Sequence, residues 1–191
     1  IDADGRLELV KTFPNNVKVY IDFAHTPDAL FKALKFLKKN QGKNISLVFG
    51  CGGDRDLKKR PLMAKIASSN CKNVYVTDDN PRNERPEKIR AEIIRNIKNI
   101  KCFNIGNREK AIKTAINTFY KNCIPFKNTQ KQKFKNKQNT LEIYLLKSIK
   151  NKSRKTVPNL KIWIMVELDV REIEKANVGG KVTQLASQST R

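Results

Sequence analysis

The fold is decided by one stretch of the chain, Val74-Tyr75-Val76-Thr77-Asp78-Asp79-Asn80-Pro81-Arg82. Its apolar first half is typical of a buried strand, and its charged second half is typical of a loop at the end of a sheet. In an open α/β sheet, ligands bind at that end of the strands. Pro81 restricts Asn80 to extended backbone, so we expect Asp79, Asn80 and Arg82 to be presented together. An acid, an amide and a guanidinium suit a ligand with both an ammonium and a carboxylate. The alternative is an ordinary turn whose acids cap the next helix.

Strands and helices alternate on both sides of this stretch. The predicted strands lie at 17–23, 45–49, 74–77 and 101–105, and the predicted helices at 27–39, 61–69, 86–97 and 108–120. A repeat of about 30 residues with this alternation predicts a Rossmann-like, doubly wound, mostly parallel α/β sheet. The alternating residues 6–10 predict an antiparallel N-terminal strand before it.

Helical spacing and capping residues predict how the helices are oriented. Thr26 and Asn107 are predicted N-caps. The apolar positions of the first two helices give the predicted core, which comprises Leu30, Ala33, Leu34 and Leu37 on the first helix and Leu62, Met63 and Ile66 on the second.

The chain changes character after about residue 126. Residues 127–140 are almost wholly Lys, Gln and Asn, and such a stretch cannot bury enough apolar surface to fold alone. Residues 141–149 then predict a short amphipathic helix, 161–168 predict a strand, and 179–191 are expected to be disordered. The predicted division is an incomplete domain at 1–126 and an unassigned, irregular basic tail at 127–191. The chain opens at Ile1 in what reads as running sequence, so we expect a fragment.

Composition narrows the classes of function. The chain has 40 basic and 18 acidic residues and a net charge of +22, which suits a polyanion partner. The excess is spread evenly and is accompanied by much Asn and Ile, as an A/T-rich genome would produce. We therefore expect no nucleic-acid partner, with a basic nucleic-acid-binding module as the alternative. The four cysteines form no C-x-x-C pair, and there is one histidine. This pattern predicts reduced thiols in a cytoplasmic protein and no metal site. No apolar run reaches the length of about 18 residues that predicts a membrane span.

Two other loops carry candidate functional residues. Asp22-Phe23-Ala24-His25 lies at the end of a predicted strand. His25 could contact a nucleotide or relay a proton, and the alternative is a histidine that only packs at a turn. Gly50-Cys51-Gly52-Gly53-Asp54-Arg55-Asp56 is rich in glycine, which lets a backbone approach a ligand closely. It is neither a P-loop nor a dinucleotide fingerprint. Arg55 lies between two aspartates that could hold it rigid for carboxylate recognition, whereas Lys58 and Lys59 are expected to be solvated surface.

Together these blocks resemble the C-terminal domain of the Mur ligases, in the type that adds diaminopimelate. The matching stretches are Gly5-Arg6-Leu7-Glu8, Asp22-Phe23-Ala24-His25-Thr26-Pro27-Asp28-Ala29-Leu30, Phe49-Gly50-Cys51-Gly52-Gly53-Asp54-Arg55-Asp56, Lys59-Arg60-Pro61-Leu62-Met63 and Thr77-Asp78-Asp79-Asn80-Pro81-Arg82. They occur in the family's order and spacing over about residues 5–122.

The resemblance implies a cytoplasmic, ATP-dependent, amide-forming ligase of peptidoglycan biosynthesis. Its substrates would be UDP-N-acetylmuramoyl-L-alanyl-D-glutamate, activated as an acyl phosphate, and meso-diaminopimelate, whose amine attacks. The residues implied to hold meso-diaminopimelate are Arg55, Asp79, Asn80, Pro81 and Arg82, and those on the nucleotide side are Arg6, Asp22 and His25. ATP and Mg²⁺ would be bound mainly by a central domain that carries the P-loop and that this chain does not contain. The resemblance therefore assigns no certain catalytic residue and no metal ligand here, and we expect the chain alone to be inactive.

One departure from the family lies after the last predicted helix. The family continues with an apolar strand and a Gly-Lys-Gly-His-Glu motif that also contacts diaminopimelate, whereas here Ile124-Pro125-Phe126 leads into Lys127-Asn128-Thr129-Gln130. A frameshift near residue 124, a fused segment or true divergence would explain the change, and an inactive broken gene product is a further alternative. We expect the sheet to keep an unpaired strand position, with lower stability and weak ligand binding.

Overall fold

The computed structural model describes residues 6–12, 17–41, 44–122 and 162–167. The strands are β1 (Glu8–Thr12), β2 (Val17–Asp22), β3 (Asn44–Phe49), β4 (Asn73–Val76), β5 (Lys101–Asn104) and β6 (Ile162–Glu167). The helices are α1 (Pro27–Asn40), α2 (Lys59–Asn70), α3 (Pro86–Arg95) and α4 (Arg108–Asn122). Within these ranges, no helix is long and apolar enough to cross a membrane.

The six strands of the described residues form one sheet in the order β1-β2-β6-β3-β4-β5. Strands β3, β4 and β5 are mutually parallel. Strand β6 is antiparallel to both of its neighbours, so β2 runs in the same direction as β3. Strand β1 pairs with β2 antiparallel. The predicted Rossmann-like, mostly parallel sheet with an antiparallel N-terminal strand is confirmed.

Strand β6 corrects the expectation of an unpaired position in the sheet. The strand predicted at 161–168 is present as β6, and it lies between β2 and β3. It pairs with β2 from Val17↔Glu167 to Asp22↔Ile162 and with β3 from Asn44↔Glu167 to Val48↔Trp163. The physical reason is its apolar run, because a central strand is covered on both faces and Ile164 is fully buried. The basic tail is therefore not irregular throughout.

Other predictions for the tail cannot be compared with the structure. The polar stretch 127–140, the amphipathic helix predicted at 141–149 and the disorder predicted at 179–191 lie outside the described residues. The division of the chain at residue 126 stays a prediction.

Helices cover both faces of the sheet. Apolar residues of α1, α2 and α3 pack in one cluster with Leu47, Phe49, Val74 and Val76. The intervening Val48 and Tyr75 point to the opposite face, where they pack with residues of α4. This alternation along β3 and β4 is the period of two that a strand imposes. It gives the sheet two cores, as expected for a doubly wound fold.

The prediction for α1 is confirmed, and the prediction for α2 is wrong in one position. All four predicted core residues of α1 are buried, and the Ala29 amide donates to Thr26 Oγ1 at 3.3 Å. In α2, Met63 is buried, but Leu62 is 48% exposed. The buried residues of α2 are Arg60, Met63, Ala64 and Ala67, which share one helical face that excludes Leu62.

The topology brings four loops to one edge of the sheet. Because β2, β3, β4 and β5 all point the same way, the segments 23–26, 50–58, 77–85 and 105–107 follow their carboxyl ends. The predicted Asn107 cap lies there, where its Oδ1 accepts a hydrogen bond from the Lys110 amide at 2.9 Å. This edge is the expected position of a ligand site.

Candidate functional site

The glycine-rich loop and the Asp-Asn-Pro-Arg turn are joined directly through their backbones. The Gly53 amide donates to the Asn80 carbonyl at 2.8 Å. The Gly53 carbonyl accepts from Arg82 Nη1 at 2.5 Å. A Cβ on Gly53 would lie 1.9 Å from the Pro81 carbonyl oxygen. Because this oxygen belongs to the backbone, only a movement of one of the two loops could relieve the clash. Glycine at this position therefore permits the contact between the two loops.

The turn holds the side chains of Asn80 and Arg82 in defined places. Asn80 Oδ1 accepts from the Arg82 amide at 3.2 Å. Arg82 has a left-handed backbone, with φ of 49°. Arg82 as a whole is exposed, although its Nη1 is hydrogen-bonded to the glycine-rich loop. The predicted grouping of Asp79, Asn80 and Arg82 on a single constrained turn agrees with this geometry.

Asp79 is the most buried polar group of the turn. Its side chain is 9% exposed, and Arg108 Nη2 lies 3.4 Å from Oδ1. That distance makes an ion pair, but Oδ1 has no hydrogen-bond donor among the described residues. Burial raises the pKa of Asp79, and the charge of Arg108, a hydrogen bond from the Asn80 amide and the charges of Lys59 and Arg82 oppose the rise. The Asp79 carboxylate is therefore held inside the turn and faces Arg108.

The alternative in which the acids cap the next helix is wrong. Helix α3 begins after Arg85, and its N-cap has no side-chain hydrogen bond. Asp78 instead forms an ion pair with Arg90, and Asp79 pairs with Arg108. Both acids therefore hold arginines of the neighbouring elements.

The aspartates that flank Arg55 do not hold its guanidinium. Asp54 Oδ2 accepts from the backbone and side-chain nitrogens of Asn83, and Asp56 Oδ1 accepts from the Lys58 amide. Within the described ranges, Arg55 forms no ion pair and its residue is exposed. The expectation of a rigid Arg55 is wrong for its side chain, because the aspartates satisfy nearby amides. The backbone of Arg55 is still held in position by the hydrogen bonds of the preceding residue, Asp54.

The two lysines after this loop differ. Lys58 is exposed, as expected for solvated surface. Lys59 is half-buried, and its Nζ lies 3.4 Å from the His25 carbonyl, so the same expectation is wrong for Lys59. This contact ties α2 to the loop after β2.

On the predicted nucleotide side, Asp22 already has strong partners. Its carboxylate accepts from the amides of Leu7 at 2.7 Å and Ala24 at 2.6 Å. Burial raises its pKa, whereas the two amides and the charge of Arg6 lower it. His25 is exposed, with Nδ1 3.1 Å from the Phe23 carbonyl. Asp22 thus fixes the start of β1 beside the loop, and it presents Arg6 and His25 at the same edge.

Sequence reasoning missed three residues of this region, Arg60, Glu84 and Arg108. Arg108 donates through Nε and Nη2 to the Asp78 carbonyl in addition to pairing with Asp79. Arg60 is fully buried between Glu84 and Glu92. Two sequence signals pointed to Arg60: its i, i+3, i+4, i+7 relation to Met63, Ala64 and Ala67, and its place in a block that resembles the family.

Residues 5–122 match the family model described as Mur ligase, glutamate ligase domain. The chain belongs to this family. The resemblance inferred from the sequence blocks is confirmed. In the parts of the chain that the structure describes, no three His, Cys, Asp or Glu side chains converge as a metal site.

Several relatives of this Mur ligase domain carry the same name. A UDP-N-acetylmuramoyl-L-alanyl-D-glutamate--2,6-diaminopimelate ligase of Rickettsia bellii is 52% identical over 122 residues, which cover 63% of this chain and 25% of that protein. The ligase of that name from Bradyrhizobium diazoefficiens is 48% identical over 114 residues, 60% of this chain and 23% of that protein. A solved structure of a ligase of this name is 40% identical and covers 60% of this chain and 23% of that one, with a TM-score of 0.49. The chain thus spans about a quarter of the curated relatives it matches.

Proposed function

We propose that this Mur ligase domain is the amino-acid-binding part of a cytoplasmic, ATP-dependent ligase that joins meso-diaminopimelate to UDP-N-acetylmuramoyl-L-alanyl-D-glutamate in peptidoglycan synthesis. The observation that carries the proposal is the constrained turn that holds Asp79 and Arg82 together and is hydrogen-bonded to the glycine-rich loop through Gly53. The names of the relatives support the substrate assignment.

Different side chains would recognise the ammonium and the carboxylate at the distal end of meso-diaminopimelate, which is the end that does not react. The guanidinium groups of Arg82 and Arg55 suit the carboxylate, because arginine presents paired donors in a fork. The Asp79 carboxylate suits the ammonium, and Asn80 offers further polar atoms beside it. Pro81 limits the motion of the turn. Lysine has the distal ammonium but no distal carboxylate, so the arginines would favour diaminopimelate over lysine.

Holding the distal end leaves the reacting amine free at the opposite end of the ligand. The residues of this domain then act by orientation, which removes entropy from the approach of the amine to the activated glutamyl group. The nucleotide supplies the activation of that glutamyl carboxylate as an acyl phosphate. Arg6 and His25 are at the same edge of the sheet and would contact the nucleotide, while Asp22 keeps their loop in place.

Binding of meso-diaminopimelate to the 191-residue chain tests the proposal. Isothermal titration calorimetry should give saturable binding, with L-lysine at least about tenfold weaker, which corresponds to one lost charged contact of about 1.4 kcal/mol. Arg82→Glu should abolish the discrimination, because it places a like charge beside the ligand carboxylate.

Arg95→Glu is the matched control, since Arg95 is exposed in the last turn of α3, away from the ligand edge. It should leave the preference for diaminopimelate unchanged. Equal binding of the two amino acids by the wild type, or a preference that survives Arg82→Glu, would contradict the proposal.

The same preparation distinguishes the nucleic-acid alternative. A basic binding module would bind duplex DNA with an affinity that falls steeply as salt rises. The ligase proposal expects the binding of meso-diaminopimelate to be insensitive to competing DNA at about 0.15 M salt, where surface charges are screened.

A further inference from the structure

A buried ion-pair network lies directly beneath the two loops of the candidate site. Arg60 is 0% exposed. Its Nη1 donates to Glu84 Oε2 at 3.0 Å and to Glu92 Oε2 at 2.6 Å, and its Nη2 donates to Glu84 Oε1 at 2.7 Å. Nη2 also lies 3.3 Å from the Gly52 carbonyl. One cation is thus enclosed by two acids from different segments and by a carbonyl of the glycine-rich loop.

Arg60 and Glu84 are both charged at neutral pH. Hydrogen bonds from Arg60 and from the Asp54 amide lower the pKa of Glu84 to about 2. The same bonds to Glu84 raise the pKa of Arg60. Both groups are therefore ionised at neutral pH, and their geometry does not depend on a titration near neutrality.

Glu84 extends the network into both loops. Its Oε1 accepts from Arg60 and also from the Asp54 amide at 2.7 Å. Asp54 Oδ2 in turn accepts from the Asn83 amide at 3.1 Å and from its Nδ2 at 2.9 Å. Asp54 directly precedes Arg55, and Asn83 directly follows Arg82. The network thus fixes the backbone beside each of the two arginines.

The backbone conformation of these segments needs such support. Asp54 and Arg82 have left-handed backbones, with φ of 47° and 49°. A non-glycine residue adopts this conformation at an energetic cost, so surrounding contacts must hold it. Around Asp54, these contacts are supplied by Glu84 and Asn83.

Glu92 provides an internal contrast to Glu84. It pairs with the same guanidinium, but its carboxylate joins α2 only to α3, and among the described residues that carboxylate bonds to neither loop. Buried ion pairs add little net stability over apolar residues of the same size, so stability alone does not account for the arrangement. What distinguishes Glu84 is that it connects the loops.

We propose that Arg60 and Glu84 are positioning residues that set the spacing between the backbone positions of Arg55 and Arg82 and thereby the selectivity for an amino acid with a distal amino-carboxylate end. This inference rests on the proposed function. Neither residue contacts the ligand. They act by fixing the backbone from which the two arginines project.

The test compares Glu84→Ala with Glu92→Ala in the 191-residue chain. Each variant removes one carboxylate from Arg60 and leaves the other, so both should lower the melting temperature. Titration calorimetry with meso-diaminopimelate and L-lysine then measures selectivity. Glu84→Ala should weaken diaminopimelate binding by about tenfold or more with little change for lysine, as expected when two contacts lose their relative placement. Glu92→Ala should keep the wild-type ratio within about twofold.

A conservative variant adds a rescue arm. Glu84→Gln retains Oε1 as an acceptor for the Asp54 amide, so its selectivity should fall between those of wild type and Glu84→Ala. If Glu84→Ala keeps the wild-type selectivity while losing thermal stability, or if Glu92→Ala loses as much selectivity, the pair has only a structural role and the inference is wrong.

Amide exchange separates failure of this inference from failure of the proposed function. If the wild type does not bind meso-diaminopimelate, the proposed function fails, and the selectivity claim that rests on it fails too. The positioning of the loops is then still measurable as hydrogen exchange at the Asp54 and Asn83 amides. Faster exchange at both in Glu84→Ala than in Glu92→Ala supports the positioning role, and equal exchange in the two variants overturns it.

Discussion

At the scale of single residues, burial opposes the ionised form of Asp79 in the candidate site. Asp79 is nearly buried, and burial raises the pKa of its carboxyl despite three cations nearby. A folded-state pKa above the unfolded value means that the native state binds the proton more tightly. Ionised Asp79 therefore costs stability, and the cost develops as the pH rises from the unfolded pKa through the raised folded pKa.

Asp79→Asn should consequently stabilise the domain at neutral pH and have a smaller effect in acid. We expect a gain on the order of 1 kcal/mol at pH 7, the scale on which poorly satisfied buried polar groups cost stability. Urea unfolding of variant and wild type between about pH 4 and 8 measures the difference. Asp28→Asn is the control, because that carboxylate is 71% exposed and no burial cost is removed. A difference that is constant across this range would contradict the assignment. The variant should also bind meso-diaminopimelate more weakly, since the ammonium loses its anion.

At the scale of elements, local sequence predicts the features that depend on neighbouring residues and misses those that depend on distant ones. The face of α1 and the caps at Thr26 and Asn107 were predictable because capping and helical periodicity involve residues three or four apart. The burial of Arg60 was not predictable in this way, because its partners Glu84 and Glu92 are 24 and 32 residues distant. For the same reason, the aspartates beside Arg55 were wrongly expected to bind it, whereas Asp54 bonds to Asn83, 29 residues away.

The contact between the two loops depends on Gly53 more than on Gly52. A Cβ at Gly53 would meet the Pro81 carbonyl oxygen at 1.9 Å and its carbon at 2.7 Å, whereas a Cβ at Gly52 would first meet Nη1 at the end of the Arg82 side chain, at 3.0 Å. Gly53→Ala should therefore push the loops apart, at a cost of about 1–3 kcal/mol and with loss of ligand binding. Gly52→Ala should cost under about 1 kcal/mol, since a long side chain can move. Thermal unfolding and calorimetry of both variants measure this, and equal effects would show that the close backbone approach is unimportant.

At the scale of the whole molecule, the sheet depends on a strand from far along the chain. The strand itself was predictable from its apolar run, but its place was not, because local pattern carries no information on which neighbours a strand will pair with. A gap after α4 was expected because residues 124–130 do not continue into the apolar strand of the family. The structure fills that position with β6, which runs opposite to its neighbours β2 and β3.

A chain shortened to residues 1–126 should therefore fail to unfold as one cooperative unit. Without β6, both β2 and β3 lose a hydrogen-bonded partner in the middle of the sheet, and the apolar surface around Ile164 is exposed. Circular dichroism during urea unfolding measures the cooperativity. Ending the chain at residue 178 is the matched control and should preserve the transition, because it removes no residue of β6.

The same dependence can be tested without shortening the chain. Ile164→Ala should cost about 2–5 kcal/mol, since Ile164 is 0% exposed in the core, whereas Leu9→Ala on the edge strand, where the side chain is 48% exposed, should cost under about 1 kcal/mol. If residues 1–126 alone retain the full transition and Ile164→Ala is as mild as Leu9→Ala, then β6 contributes nothing to the folded sheet, and the domain would be complete without the tail. If instead the shortened chain loses the transition and Ile164→Ala is costly, β6 is a structural part of the Mur ligase domain. The loops that follow β2 and β3 would then keep their positions only with β6 between those strands.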